Sequence, residues 1–121
     1  MVNMDMVGRL KNNKLIVHGT GTATSFDSRI DETNKQYEFE IKKEPGGFGP
    51  SDHASFYGKK IPVFHFFTGT HNDYHRPSDD FEKINVQGRQ RITALVTDIV
   101  GQLARTEERP EYVEVKQKKH N

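Results

Sequence analysis

The chain has 121 residues, 32% apolar and 29% charged, which suits one domain with a small core. A formal net charge of +1 gives no pull toward nucleic acid, and the lack of cysteine excludes disulfides and thiolate metal sites. No apolar run approaches the ~20 residues of a membrane helix, so neither nucleic acid nor a membrane is an expected partner. The amino-terminal MVNMDMVGRL lacks the layout of a signal peptide and reads as the interior of a strand, as though the chain starts inside a domain; localisation stays open.

Residues 2–9 alternate weakly, Val2, Met4 and Met6 against Asn3, Asp5 and Val7, and predict a strand. Residues 8–14 (GRLKNNK) carry Asn-Asn and read as a hairpin turn into a second strand, Leu15 to His18. The Gly19-Thr20-Gly21-Thr22 loop holds a lone G-x-G with no completed phosphate fingerprint, so a plain turn is expected. Residues 25–37 predict a modest helix capped by Ser25, with Asp27 in its first turn and Phe26, Ile30 and Thr33 or Asn34 on one face. Tyr37 to Ile41 alternates as a half-exposed strand. Residues 42–50 (KKEPGGFGP) are loop by their Pro and Gly content. Ser51 caps a short helix through about Tyr57, which Gly58 ends.

A buried strand follows in Ile61-Pro62-Val63-Phe64-His65-Phe66-Phe67, closed by Thr68-Gly69. From Val86 to Arg105 runs one long amphipathic helix capped by Asn85. Its Ile92, Leu95, Val96, Ile99, Val100 and Leu103 fall at core-packing spacing. Residues 107–121 read as a linker or tail, with Lys116–His120 a solvated cluster and not a nucleic-acid arm. The fold class is α/β, with a sheet of about four strands and the long C-terminal helix packed on it.

Four of the six histidines, at positions 53, 65, 71 and 75, lie between Gly49 and Asn85, with Asp52, Asp73, Asp79 and Asp80. Strand ends that carry His and Asp into a crevice are a common way for such a sheet to build a site. Taken alone, each has a plain reading. Asp5 is a strand-end carboxylate capping a turn, and His75 is a loop histidine bonded to Asp79. His65, between two phenylalanines, is a hydrogen-bonded core histidine. Asp52 and His53 are loop or supporting groups, and Asp79 and Asp80 sit in a solvated loop. His71, Asp73 and His75 would share a face if that segment were extended.

Ser51-Asp52-His53, Lys60-Ile61-Pro62, Tyr74-His75 with Asp79, and Asn3-Met4-Asp5-Met6-Val7-Gly8 occur in an order that resembles the C-terminal half of the co-catalytic di-zinc aminopeptidases. That family includes bacterial leucyl aminopeptidases and aminopeptidase Y, with glutaminyl cyclases and the transferrin receptor ectodomain as relatives. Lys60 departs mildly from the glycine often found there. The resemblance covers roughly residues 1–105. It implies that residues 1–106 are the C-terminal portion of a zinc-exopeptidase domain that removes N-terminal residues from peptides with two zinc ions. It assigns Asp5 to one zinc, His75 to the other, and Tyr74 to the oxyanion of the reacting carbonyl. Asp52 and Asp79 are implied to support the ligands from behind.

The family's His-x-Asp segment, bridging aspartate and Glu-Glu pair come earlier in its chain. Here Glu107-Glu108 lies in the wrong place, and so does His71-Asn72-Asp73; of His71, Asp73 and His75, the first two have no counterpart as ligands. One donor per ion cannot hold two zinc ions tightly, since zinc sites need three or four protein donors. The expectation is a chain that binds zinc weakly or not at all and is inactive alone, with an open sheet edge that invites self-association. The alternatives are a non-catalytic binding or scaffold domain of the same fold, or a glutaminyl cyclase-like acyltransferase.

Overall fold

A computed structural model describes residues 1–116. In chain order the elements are β1 (Val2–Met4), β2 (Lys14–His18), α1 (Phe26–Asn34), β3 (Glu40–Glu44), α2 (His53–Tyr57), β4 (Phe64–Phe67), a 3-10 turn (Phe81–Lys83) and α3 (Val86–Arg105). The expected α/β sheet of four strands with a long C-terminal helix is what forms. Its strand order is β1-β4-β2-β3, with β4 parallel to β1 and antiparallel to β2, and β3 parallel to β2.

Alternation along β2 and β4 sorts the two faces of the sheet. Leu15, Val17, Phe64 and Phe66 are fully buried against α1 and α3. Phe26 of α1 stacks on Phe64 with ring centroids 4.0 Å apart, and Ile92, Leu95 and Ile99 of α3 close the same core. Asn85 caps α3 as predicted, its side chain accepting from the Gly88 N–H at 2.9 Å. The Asn85 amide also donates to the Leu10 carbonyl at 3.0 Å, tying the loop after β1 to the start of α3.

Several expectations are corrected. The hairpin between the first two strands does not exist, because β4 inserts between β1 and β2. Asn12 and Asn13, with φ of 54° and 60°, do make a tight turn closed by Lys14 N–H to the Lys11 carbonyl, but it is local. β1 ends at Met4, and β3 begins at Glu40, three residues after the predicted start. Asn34 explains the shift. Its amide donates to the Phe39 carbonyl and its oxygen accepts from Phe39 N–H, so residues 35–39 are spent on a turn.

Ser25 and Ser51 do not cap α1 and α2 through their side chains. Asp52 holds the cap position of α2, and Ser51 is used elsewhere. Gly58 closes α2 in an ordinary right-handed conformation, the left-handed residue being Lys60 at φ 61°. Val100, counted on the apolar stripe of α3, is 45% exposed.

The Gly19–Thr22 loop is the plain turn expected. The Gly19 and Gly21 N–H groups donate to the carbonyls of Glu44 and Pro45, so none of that capacity is left for an anion. Gly19 sits at φ 86°, and a Cβ there would lie 2.0 Å from the Val63 carbonyl oxygen. Beyond α3 the chain returns to the body. Thr24 N–H donates to the Glu111 carbonyl, Val113 N–H to the Thr22 carbonyl, and Val115 N–H to the Tyr57 hydroxyl at 2.8 Å. The Lys116–His120 cluster lies, beyond Lys116, outside the described residues.

Candidate functional site

Asp5 follows β1 and Thr68 follows β4, and because these neighbours are parallel both leave the sheet at the same end. Asp5 N–H donates to the Phe66 carbonyl and Thr68 N–H to the Met6 carbonyl, so the pairing continues past the strands. Asn3 is the register partner of His65, and Asp5, two residues on, points to the same face. Ser51 binds both: its hydroxyl accepts from the Asn3 amide at 2.8 Å and donates to an Asp5 carboxylate oxygen at 2.8 Å. Here the serine of Ser51-Asp52-His53 fixes the Asp5 carboxylate instead of a helix end.

Tyr74 and His75 lie on the loop after β4, both exposed, with ring centroids 3.9 Å apart. His75 takes φ 53° in a turn closed by Tyr74 N–H to the His71 carbonyl and Arg76 N–H to the Asp73 carbonyl. The loop is held by Asp73, which accepts from Ser78 at 2.6 Å, Lys83 at 2.9 Å and Arg9 at 3.1 Å. The Ser78 hydroxyl first, then Lys83 and Arg9, keep the Asp73 carboxylate well below its ordinary range. Tyr74 and His75 face a cleft of about 350 Å³, with Met6, Arg9, His71 and Phe81 also on its wall.

Asp79 does not bond to His75. It accepts from Arg9 at 2.7 Å and lies 3.9 Å from the His71 ring. Asp52 is exposed and makes no side-chain cap bond. Asp5 and His75 therefore share one end of the sheet, with Met6 reaching the cleft of His75 while Asp5 turns to Ser51. No hydrogen bond joins Asp5, Tyr74 and His75.

Sequence reasoning placed His18, His53 and His65 separately and missed that they meet. His18 and His65 are cross-strand partners with Nδ1 atoms 2.8 Å apart. His53 of α2 stacks on His65, with centroids 4.3 Å apart and planes 11° from parallel. His65 is the core histidine expected, yet only one of its nitrogens is bonded. Burial, then the nearby rings of His53 and His18, push His65 down to about 4. Burial lowers His18 and His53 as well. Each lies in a different element, so no spacing in the sequence could have signalled the cluster.

The profile of Peptidase family M28 matches residues 1–100. The chain belongs to Peptidase family M28. Among solved structures, this M28 chain is similar to the Legionella pneumophila LapA aminopeptidase, at 23% identity and a TM-score of 0.72 over 88% of this chain and 31% of that one. It is similar to BSAP, a zinc aminopeptidase from Bacillus subtilis, at 22% identity and a TM-score of 0.69 over 95% of this chain and 31% of that one. Nicastrin, a gamma-secretase component, aligns at 19% identity and a TM-score of 0.60 over 93% of this chain and 22% of that one. No curated protein matches the sequence. The M28 chain thus spans about a third of the length of the aminopeptidases it resembles, and the expected zinc-aminopeptidase resemblance and α/β fold are borne out.

Zinc is implied by that family. Asp5 and His75 have the right donor chemistry, a carboxylate and an imidazole, but not the number. Zinc takes three or four protein donors, and among the described residues neither belongs to a close group of three. The described residues alone do not make the two-zinc cradle. The one close group of three donors among them is His18, His53 and His65.

Proposed function

We propose that this chain forms part of the site of a zinc-dependent aminopeptidase that hydrolyses N-terminal residues from peptides. In this reading Asp5 and His75 each lend one donor to a zinc ion whose other donors come from elsewhere in the domain. The Tyr74 hydroxyl would donate to the oxygen of the reacting carbonyl, and Ser51 would hold the Asp5 carboxylate in place. Asp52 would support the same end from α2, and Asp79 would act on the loop through Arg9. The observation that carries the reading is the M28 match over residues 1–100, with the strand ends bearing Asp5 and the Tyr74-His75 loop emerging side by side.

A chimera tests it. Residues 1–100 would replace the matching segment of the LapA aminopeptidase, and cleavage of an aminoacyl chromogenic substrate would be followed with and without a chelator. The expected result is chelator-sensitive turnover that Asp5→Asn or His75→Asn abolishes. A folded chimera with no turnover would overturn the reading. The likeness to nicastrin favours a second one, a non-catalytic binding domain, and an inactive, folded chimera supports it. Alone, the chain is proposed to lack peptidase activity and to self-associate through an open outer edge of β1 or β3. A light-scattering mass of a single chain at high concentration would count against the association.

A further inference from the structure

Three histidines to which the family resemblance assigns no ligand role converge beneath α2. One nitrogen from each of His18, His53 and His65 lies within 4.8 Å of the other two. His53 is fully buried and His65 is 4% exposed. Both ring nitrogens of His53, and Nε2 of His65, have no hydrogen-bond partner. Buried polar atoms are nearly always satisfied, and each orphan destabilises the fold. If packing alone were wanted, phenylalanine would serve, as it does at Phe64 and Phe66 on the opposite face of the same strand.

Each neutral imidazole offers one lone-pair nitrogen, so the cluster presents three nitrogen donors and no thiolate. That donor set suits a borderline divalent metal such as zinc, copper, nickel or cobalt. We propose that His18, His53 and His65 form a transition-metal site, for zinc in the first instance, separate from the positions of Asp5 and His75. A bound cation would give at least one of the orphan nitrogens, on His53, a partner. It would also clamp β2, β4 and α2 together, because each supplies one ring. Three ring donors leave a coordination position open for water, the Asp5 carboxylate being engaged by the Ser51 hydroxyl. The site stands on the rings' own geometry and does not depend on the peptidase reading.

The test is titration of the full, chelator-dialysed chain with Zn²⁺ by calorimetry and with Co²⁺ by visible absorption. The expected result is one equivalent bound, with the intense bands of a low-coordinate cobalt site. Asp5→Asn/His75→Asn keeps that binding, whereas His18→Ala and His53→Phe each weaken it by about 100-fold through loss of one donor. The phenyl ring of His53→Phe preserves the stack on His65, and circular dichroism checks that the variant folds. Should it not fold, the half-exposed His18 decides. The proposal is overturned if the folded wild-type chain takes up no metal. It is equally overturned if Asp5→Asn/His75→Asn abolishes uptake, or if neither His18→Ala nor His53→Phe changes it.

Discussion

The two faces of β4 meet in consecutive residues and follow different rules. Phe64 and Phe66 turn into a dry core, where Phe26, Ile92, Leu95 and Ile99 surround them. Between them His65 turns the other way, onto His18 and His53, where buried nitrogens go without partners. The first face is fixed by apolar area removed from water. The second spends stability on unsatisfied polar groups, and such places in a fold are where function is expected. The strand is therefore anchored from one side and equipped for chemistry from the other.

The contrast can be broken in graded ways. Phe66→Ala empties the apolar face and is expected to cost about 3–5 kcal/mol, read from the urea midpoint. Next comes acid. In the metal-free chain His65 titrates at about 4, against 6.5 for an unperturbed histidine. Between those values the unfolded state binds more protons than the folded one, so stability is full above pH 6.5 and falls as the pH drops toward 4. The His65 share of that loss is at most about 3 kcal/mol, and urea midpoints across that range should fall more steeply in wild type than in His65→Phe, where the lowered His18 and His53 still contribute.

A third change works in the opposite sense. In metal-free protein His53→Phe removes two orphan nitrogens while keeping a ring, and should raise stability by about 1 kcal/mol or leave it unchanged. A clear loss would mean that these nitrogens have partners after all. Asn85→Ala, at the start of the helix that closes the apolar face, should cost about 1 kcal/mol with the lost cap. Val100→Ser, on the exposed side of that helix, should stay within about 0.5 kcal/mol.

Much of the fold was legible beforehand where a local signal and the tertiary environment agreed. The α3 stripe and the Asn85 cap lie within one element, so periodicity and capping chemistry located both ends of the helix. The G-x-G turn was legible because a phosphate fingerprint was incomplete. Reading failed where a residue found a better partner far away. Ser51 looks like a cap, but the Asp5 carboxylate and the Asn3 amide claim its hydroxyl. The Asn12-Asn13 turn looks like a hairpin, but β4, distant in sequence and nearly all aromatic, pairs with β1 on one side and β2 on the other.

The residue order by itself determined the long helix, the apolar strands and the family, because these rest on short-range pattern and motif. Only the tertiary structure decided that β4 splits the first two strands, that Asp79 serves Arg9 and His71, and that three distant imidazoles meet under α2. The reason is the period of a strand. Alternation says that His65 must face away from Phe64 and Phe66, but what waits on the far side is set by chain segments tens of residues away, brought there by sheet order and not by any local preference.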